Sequence, residues 1–211
     1  MYIEQPERVL INKAIAKFAS HIRGKVLDVG AGAFDRYSKL FTYESYTRMD
    51  IFAREGIDLV GTAENIPVSD SSYDAIVCTQ VLGDVKDPRS VVREFFRVLK
   101  PSGVVLVSEA LFNPLHDQPN DYWRFTPHTF SMLFTEAGFS SVIIEPLGGF
   151  WSVGAQQIIR YCIERFDLYN HSRVWSFPLK YLGRVSMWLD IHDRSKVNAL
   201  YPHGFVVLAT K

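Results

Sequence analysis

Val26-Leu27-Asp28-Val29-Gly30-Ala31-Gly32 reads as a buried strand running into a glycine turn. Val26, Leu27 and Val29 supply the apolar residues of a strand covered on both faces, as the strands of parallel sheets are. Gly30 and Gly32 let the backbone turn tightly and approach a ligand with no Cβ in the way. Asp28 places a carboxylate at the carboxyl end of the strand, where open α/β sheets bind their ligands. The stretch therefore points to a doubly wound sheet and an adenosine-containing cofactor.

Outward from it, apolar residues at helical spacing (Leu10, Ile11, Ala14, Ile15, Phe18, Ile22) predict an amphipathic helix over 7–22. Downstream, a short helix is expected at Tyr37–Phe41, and strands at Tyr46–Ile51, Asp58–Gly61 and Tyr73–Thr79. Pro88 opens a helix bearing Val91, Val92, Phe95, Phe96, Val98 and Leu99, and Pro101-Ser102-Gly103 turns the chain into a strand at Val104–Ser108. Thr129–Ala137 reads as a helix stopped by Gly138, with strands at Ser141–Glu145 and Gly204–Ala209 after it. Strands alternating with helices predict a parallel, doubly wound α/β sheet. With no repeat or low-complexity linker, residues 1–211 are expected to form one domain carrying a mostly helical, aromatic-rich insert over 155–193.

The 211 residues are enough for one well-buried domain. Lys+Arg and Asp+Glu balance at 23 each, which disfavours nucleic acid as an obligate partner. Cys78 and Cys162 show no metal spacing, and no metal is expected. No window reads as a membrane span or signal-peptide core, so a cytoplasmic protein is expected.

A dinucleotide fingerprint would place a third glycine at residue 35, where this chain has Asp35. A carboxylate there would repel a pyrophosphate, so a nicotinamide cofactor fits poorly. Acidic residues around the turn instead suit a ligand bearing an ammonium, which Asp28 could accept directly or through water. Asp50, about twenty residues beyond the turn and closing the second strand, can accept both ribose hydroxyls of an adenosine.

Leu27–Gly32, Met49-Asp50-Ile51, Val60–Pro67, Ser72-Tyr73-Asp74, Val81–Val85, Arg97–Gly103 and Arg124-Phe125-Thr126 occur in this order with matching gaps. The set resembles the class I S-adenosylmethionine-dependent methyltransferases over residues 22–147 and 204–210. The resemblance implies a Rossmann-like seven-stranded sheet of order 3-2-1-4-5-7-6, its last strand antiparallel, with helices on both faces. It implies S-adenosylmethionine as cofactor, with Gly30, Ala31 and Gly32 at its methionine part, Asp50 at the ribose, Ile51 also against the cofactor, Ala63 and Glu64 beside the adenine, and Thr79 and Gln80 closing the pocket. The chain departs from the family at Thr62, where Asp is common, at Gly83-Asp84, where Glu-His is usual, and at Ser102 in place of glycine.

On the acceptor side, the loop Asn113–Thr126 follows the fifth strand and packs polar, titratable and aromatic groups together. His116 can act as a base, Asp121 as a carboxylate and Arg124 as an anion clamp, with Tyr122 and Trp123 as an aromatic wall. Structural duties compete with these: an Asp121–Arg124 ion pair, and Thr126-Pro127 as a helix cap. His171, His192 and His203 read as ordinary surface or turn residues. The insert suits core packing or a lid, then a homodimer surface, then an interfacial helix. The expected activity is methyl transfer to an oxygen or nitrogen of a small or medium, small-molecule or glycan-like acceptor. A catalytically silent S-adenosylmethionine-binding module is the alternative.

Overall fold

A computed structural model of the chain describes residues 5–168 and 176–211. β1 (Lys25–Val29) lies between β2 (Ser45–Asp50) and β4 (Tyr73–Thr79), parallel to both, and β3 (Leu59–Val60) extends the sheet beyond β2. β5 (Leu99–Ala110) runs parallel to β4, and β7 (Gly204–Thr210) runs antiparallel to β5. With β6 (Ser141–Leu147) at the edge, the order is β3-β2-β1-β4-β5-β7-β6, as the family resemblance implies.

The chain, expected as a single domain with an insert, packs as two compact units. The larger comprises Ile15–Glu145 and Gly204–Lys211. In its core Leu27 and Val29 of β1, Ile76 and Cys78 of β4 and Val105 and Val107 of β5 meet α2 (Pro88–Val98) and α3 (Pro127–Ala137). α2 buries Val91, Val92, Phe95 and Val98, and the Asp87 carboxylate caps it by accepting the Arg89 amide. Thr126 caps α3 by accepting the Thr129 amide, and Gly138 ends it in the left-handed conformation at φ 101°. Burying this many aliphatic and aromatic side chains, each worth about 1.5–3 kcal/mol, is what holds the strand ends in place.

Three boundaries depart from the sequence reading. Tyr37–Phe41 forms only a 3-10 turn, Ser38–Leu40. There the Asp35 carboxylate takes both the amide and the hydroxyl of Ser38, a local bond that competes with a helix. β5 begins at Leu99 rather than Val104, because a register shift opposite Tyr73 and Ala75 and a positive φ at Ser102 carry the strand through the turn residues. The expected helix over 7–22 is α1 (Pro6–Phe18) followed by a 3-10 turn, Ala19–His21.

The smaller unit comprises Met1–Ala14 and Pro146–His203. Its helices α4 (Phe150–Arg165) and α5 (Ser176–His192) enclose Ala155, Ile159, Ile163, Leu168 and Leu179. α4 begins before residue 155 because its first amides find partners distant in sequence. Asp190 accepts from Gly149, Trp151 and Ser152 at 2.9, 3.0 and 3.2 Å, and Asn198 accepts from Phe150 at 2.8 Å. His203 is buried rather than on the surface, with Nε2 3.0 Å from Ser152 Oγ, and burial pushes it down to about 4. His192 is exposed, its ring 4.1 Å from that of Trp188, and His171 lies outside the described residues. Among the described residues no helix is long and apolar enough to cross a membrane.

Candidate active site

The glycine turn leaves β1 at the carboxyl edge of the sheet. The amides of Gly30 and Ala31 both donate to Met49 O, at 2.9 and 3.0 Å, which binds the turn to the end of β2. Gly30 and Gly32 take φ values of 72° and 65°, a region a side chain enters at a cost of about 1–2 kcal/mol. At Gly30 a Cβ would lie 2.3 Å from Val81 Cγ2, whereas at Gly32 nothing lies within 4 Å of the same point. Gly32 therefore presents bare backbone to open space, the cradle a cofactor needs.

Asp50 closes the turn from β2. Its Oδ2 accepts the Gly32 amide at 2.9 Å and its Oδ1 the Phe52 amide at 3.0 Å. Each carboxylate oxygen keeps a lone pair for a further donor, such as a ribose hydroxyl. Ile51, next in sequence, is exposed. Arg48 braces the same turn, donating to Gly32 O at 2.9 Å and to Gly56 O at 2.7 Å. Ala63 and Glu64 lie in the turn pinned by the Thr62–Asn65 bridge; the Ile66 amide donates to Glu94, which Arg97 holds.

Asp28 stands one residue from the carboxyl end of β1. It sits inside β1, paired with Arg48 and Val77 on the neighbouring strands, and its Oδ2 accepts the Tyr46 hydroxyl at 2.9 Å. Burial pushes its carboxyl up to about 6, against the pull of that hydrogen bond, and pushes the Tyr46 hydroxyl up as well.

Gln80, one residue past Thr79, has φ 57° and donates its amide to Ser108 O, while its side-chain Nε2 is buried with no hydrogen-bond partner. That orphaned donor lines a recess shared with Glu109, Asp84, His116, Trp123 and Arg124. The structure thus brings Gln80, expected on the cofactor side, against the loop 113–126.

Within that loop the three expected catalytic residues form one cluster. Arg124 grips both oxygens of Asp121, at 2.5 and 2.9 Å, and also donates to Asn113 O and Pro114 O. The pairing holds the Asp121 carboxyl well below the usual carboxylate range and raises Arg124. Asp121 accepts the His116 amide at 3.1 Å. The His116 ring places Nδ1 3.1 Å from Pro114 O and Nε2 3.6 Å from Asp84 Oδ1. A carbonyl only accepts, so Nδ1 donates to it, and in the neutral ring Nε2 is the acceptor. Asp84 is raised by burial, and its Oδ1 has no hydrogen-bond partner. Asp84, His116 and Asp121 bring ligand atoms within 4.8 Å of one another, but a cation there would have to displace the guanidinium already on Asp121.

Sequence reasoning missed Glu109. It is a buried carboxyl on β5 whose Oε1 accepts the amides of Val81 and Leu82, both at 2.6 Å. The signal available was its place, a carboxylate at the carboxyl end of an apolar strand.

Residues 27–107 match the methyltransferase domain family, and the sheet order and glycine turn agree with it. Over that stretch, less than half of its length, the chain is similar to the class I S-adenosylmethionine-dependent methyltransferases. Among curated relatives, the chain is 28% identical over 147 residues to the ubiquinone/menaquinone biosynthesis C-methyltransferase UbiE of Cronobacter sakazakii, covering 58% of this chain and 59% of that one. It is 43% identical over 61 residues to the thiol S-methyltransferase TMT1B of Rattus norvegicus, covering 28% and 25%. The chain spans less than two thirds of the length of either relative.

Solved structures share the methyltransferase fold. A SAM-dependent methyltransferase from Archaeoglobus fulgidus superposes with a TM-score of 0.60 at 14% identity, covering 98% of this chain and 95% of that one. Haemonchus contortus phosphoethanolamine N-methyltransferase 2, in complex with S-adenosyl-L-methionine, does so with a TM-score of 0.58 at 17% identity, covering 95% and 51%.

Proposed function

We propose that this chain transfers a methyl group from S-adenosylmethionine to an oxygen or nitrogen of a small or medium acceptor. The observation that carries the reading is the bond from the Gly32 amide to Asp50, which sets bare glycine backbone and an acidic strand end side by side. In this reading Gly30, Ala31 and Gly32 surround the methionine part, Asp50 takes the ribose hydroxyls, and Ile51, Ala63 and Glu64 flank the adenine. Thr79 and Gln80 close the pocket.

When bound, S-adenosylmethionine supplies a methyl group already activated on a sulfonium. The residues then have to hold the acceptor atom about 3 Å from that carbon and in line with the breaking bond. His116 Nε2 is the group placed to take a proton from an acceptor hydroxyl or ammonium. Asp121 and Arg124, saturated by one another, serve in this reading to fix the His116 backbone and ring rather than to clamp an anion. The names of the relatives span methyl transfer to carbon, sulfur and nitrogen, so the choice of oxygen or nitrogen rests on the polar recess and on His116 alone.

Calorimetry with S-adenosylmethionine and S-adenosylhomocysteine tests the cofactor half: both are expected to bind, and no heat from either at about millimolar concentration would sink it. Screening hydroxyl, amine, thiol and carbon acceptors tests the other half. A chain that binds both nucleosides and methylates none of these is the silent module instead.

A further inference from the structure

Glu109 stands one residue from the end of β5 and is 4% exposed. Buried carboxyls need partners, and those of Glu109 are backbone amides rather than a cation: Val81 N and Leu82 N, each 2.6 Å from Oε1. The other oxygen, Oε2, lies 3.4 Å from where a Cβ on Gly83 would stand. One carboxyl therefore holds the whole turn that follows β4.

That turn faces both halves of the site. Toward the cofactor side, Val81 presses its methyl against Gly30, and Gln80 keeps its left-handed backbone. Toward the acceptor side, Gly83 O accepts the amides of Tyr122 and Trp123 at 2.9 and 3.0 Å, and Trp123 Nε1 donates to Val85 O at 3.0 Å. The distance between the glycine turn and the acceptor loop thus runs through residues 80–85, anchored from below by Glu109. In an in-line displacement an error of about 1 Å in that distance can cost about a hundredfold in rate.

We propose that Glu109 is a positioning residue that, through the Val81 and Leu82 amides, sets the spacing between the cofactor turn and the acceptor loop. The inference rests on the methyltransferase reading above. Burial pushes the Glu109 carboxyl up to about 8, so it keeps its proton at neutral pH. The charged and titratable groups around it are Cys78 on β4, Asp84 in the turn, and His116 and Arg124 in the loop; on β7 it faces Phe205, which does not titrate. Asp84 opposes ionisation of Glu109. The Val81 and Leu82 amides favour the ionised form and burial opposes it, so ionisation at higher pH charges a buried group and favours arrangements that let water reach it.

The test is the affinity for S-adenosylhomocysteine, by calorimetry at pH about 6.5 and about 9, which bracket that ionisation. It is run on the wild type, Glu109→Gln and Glu109→Leu, with urea unfolding to confirm that each is folded. The wild type is expected to lose at least about threefold between the two pH values. Glu109→Gln, which mimics the neutral acid, is expected to bind like the wild type at the lower pH and to show no loss at the higher. Glu109→Leu leaves two buried amides without an acceptor and is expected to lose at least about tenfold. If Glu109→Leu does not fold, the wild-type and glutamine profiles decide alone. A flat wild-type profile, an unaltered pH loss in Glu109→Gln, or full affinity in folded Glu109→Leu overturns the proposal. Absence of binding by the wild type at both pH values instead removes the cofactor reading, and the positioning role with it.

Discussion

The glycine turn at 30–32 hangs on the ends of two strands by backbone bonds, while the loop at 113–126 hangs on a carboxylate–guanidinium pair and a few carbonyls. Gly30 and Ala31 donate to Met49 O, and Gly32 to Asp50; every anchor lies on or at the end of β2. The loop's anchors are Asp121 with Arg124, and the amides of Tyr122 and Trp123 on Gly83 O. The first arrangement is part of the sheet and can change only if the sheet does. The second can be rebuilt without disturbing the core, which is how one scaffold serves many acceptors.

The comparison breaks most visibly at Gly30. A Gly30→Ala change adds a Cβ 2.3 Å from Val81 Cγ2 at a positive φ. Overpacking and backbone strain together are expected to cost about 2–4 kcal/mol in urea unfolding and to abolish S-adenosylhomocysteine binding. Gly32→Ala meets no neighbour and is expected to cost only the strain, about 1–2 kcal/mol, while still filling the cradle. Equal losses of stability at the two positions would show that Val81 does not press on the turn.

Asp50→Ala comes next. It frees the amides of Gly32 and Phe52 and removes the proposed ribose acceptor, and is expected to weaken S-adenosylhomocysteine binding at least about tenfold. On the loop side, Asp121→Asn leaves Arg124 without its ionic partner and weakens the bond to the His116 amide. The expected loss is about 1 kcal/mol of stability, with faster hydrogen exchange confined to 113–126 and unaltered cofactor affinity. A large drop in cofactor affinity here would mean that the two sides are not separately held.

Most of the sheet was legible because β1, β4, β5 and β7 each contain a short apolar run, and Asp50 because it stands at the end of a strand. The rest was hidden wherever a residue's partner is remote in sequence. Glu109 reads as a strand-end charge until Val81 and Leu82 come to it; α4 takes partners for its first amides from Asp190 in α5 and from Asn198 beyond it. His203 carries no mark of burial in its neighbours Pro202 and Gly204. The Asp121–Arg124 pair was legible as a pair, yet only the geometry shows both Asp121 oxygens held by Arg124 and His116 set between Asp84 and Asp121.

Asp28 tests the finest distinction, between a carboxylate serving the cofactor and one serving the strand beneath it. Its carboxyl is pushed up to about 6 by burial, above its usual value of 3.8. A raised folded-state value means that its contribution to stability is complete below the unfolded value, is lost as pH rises toward about 6, and is constant above that. The Tyr46 hydroxyl limits the loss by donating to the charged form. Tyr46→Phe is therefore expected to destabilise the protein by about 1–2 kcal/mol at pH about 8, where the bond is to a carboxylate, and by about half that at pH about 4, where it is to a neutral acid. Urea unfolding at the two pH values measures the difference. If Asp28 serves only the strand, cofactor affinity measured beside it stays level; if Tyr46→Phe changes affinity as much as stability, the carboxylate reaches the ligand and the turn has a titratable floor.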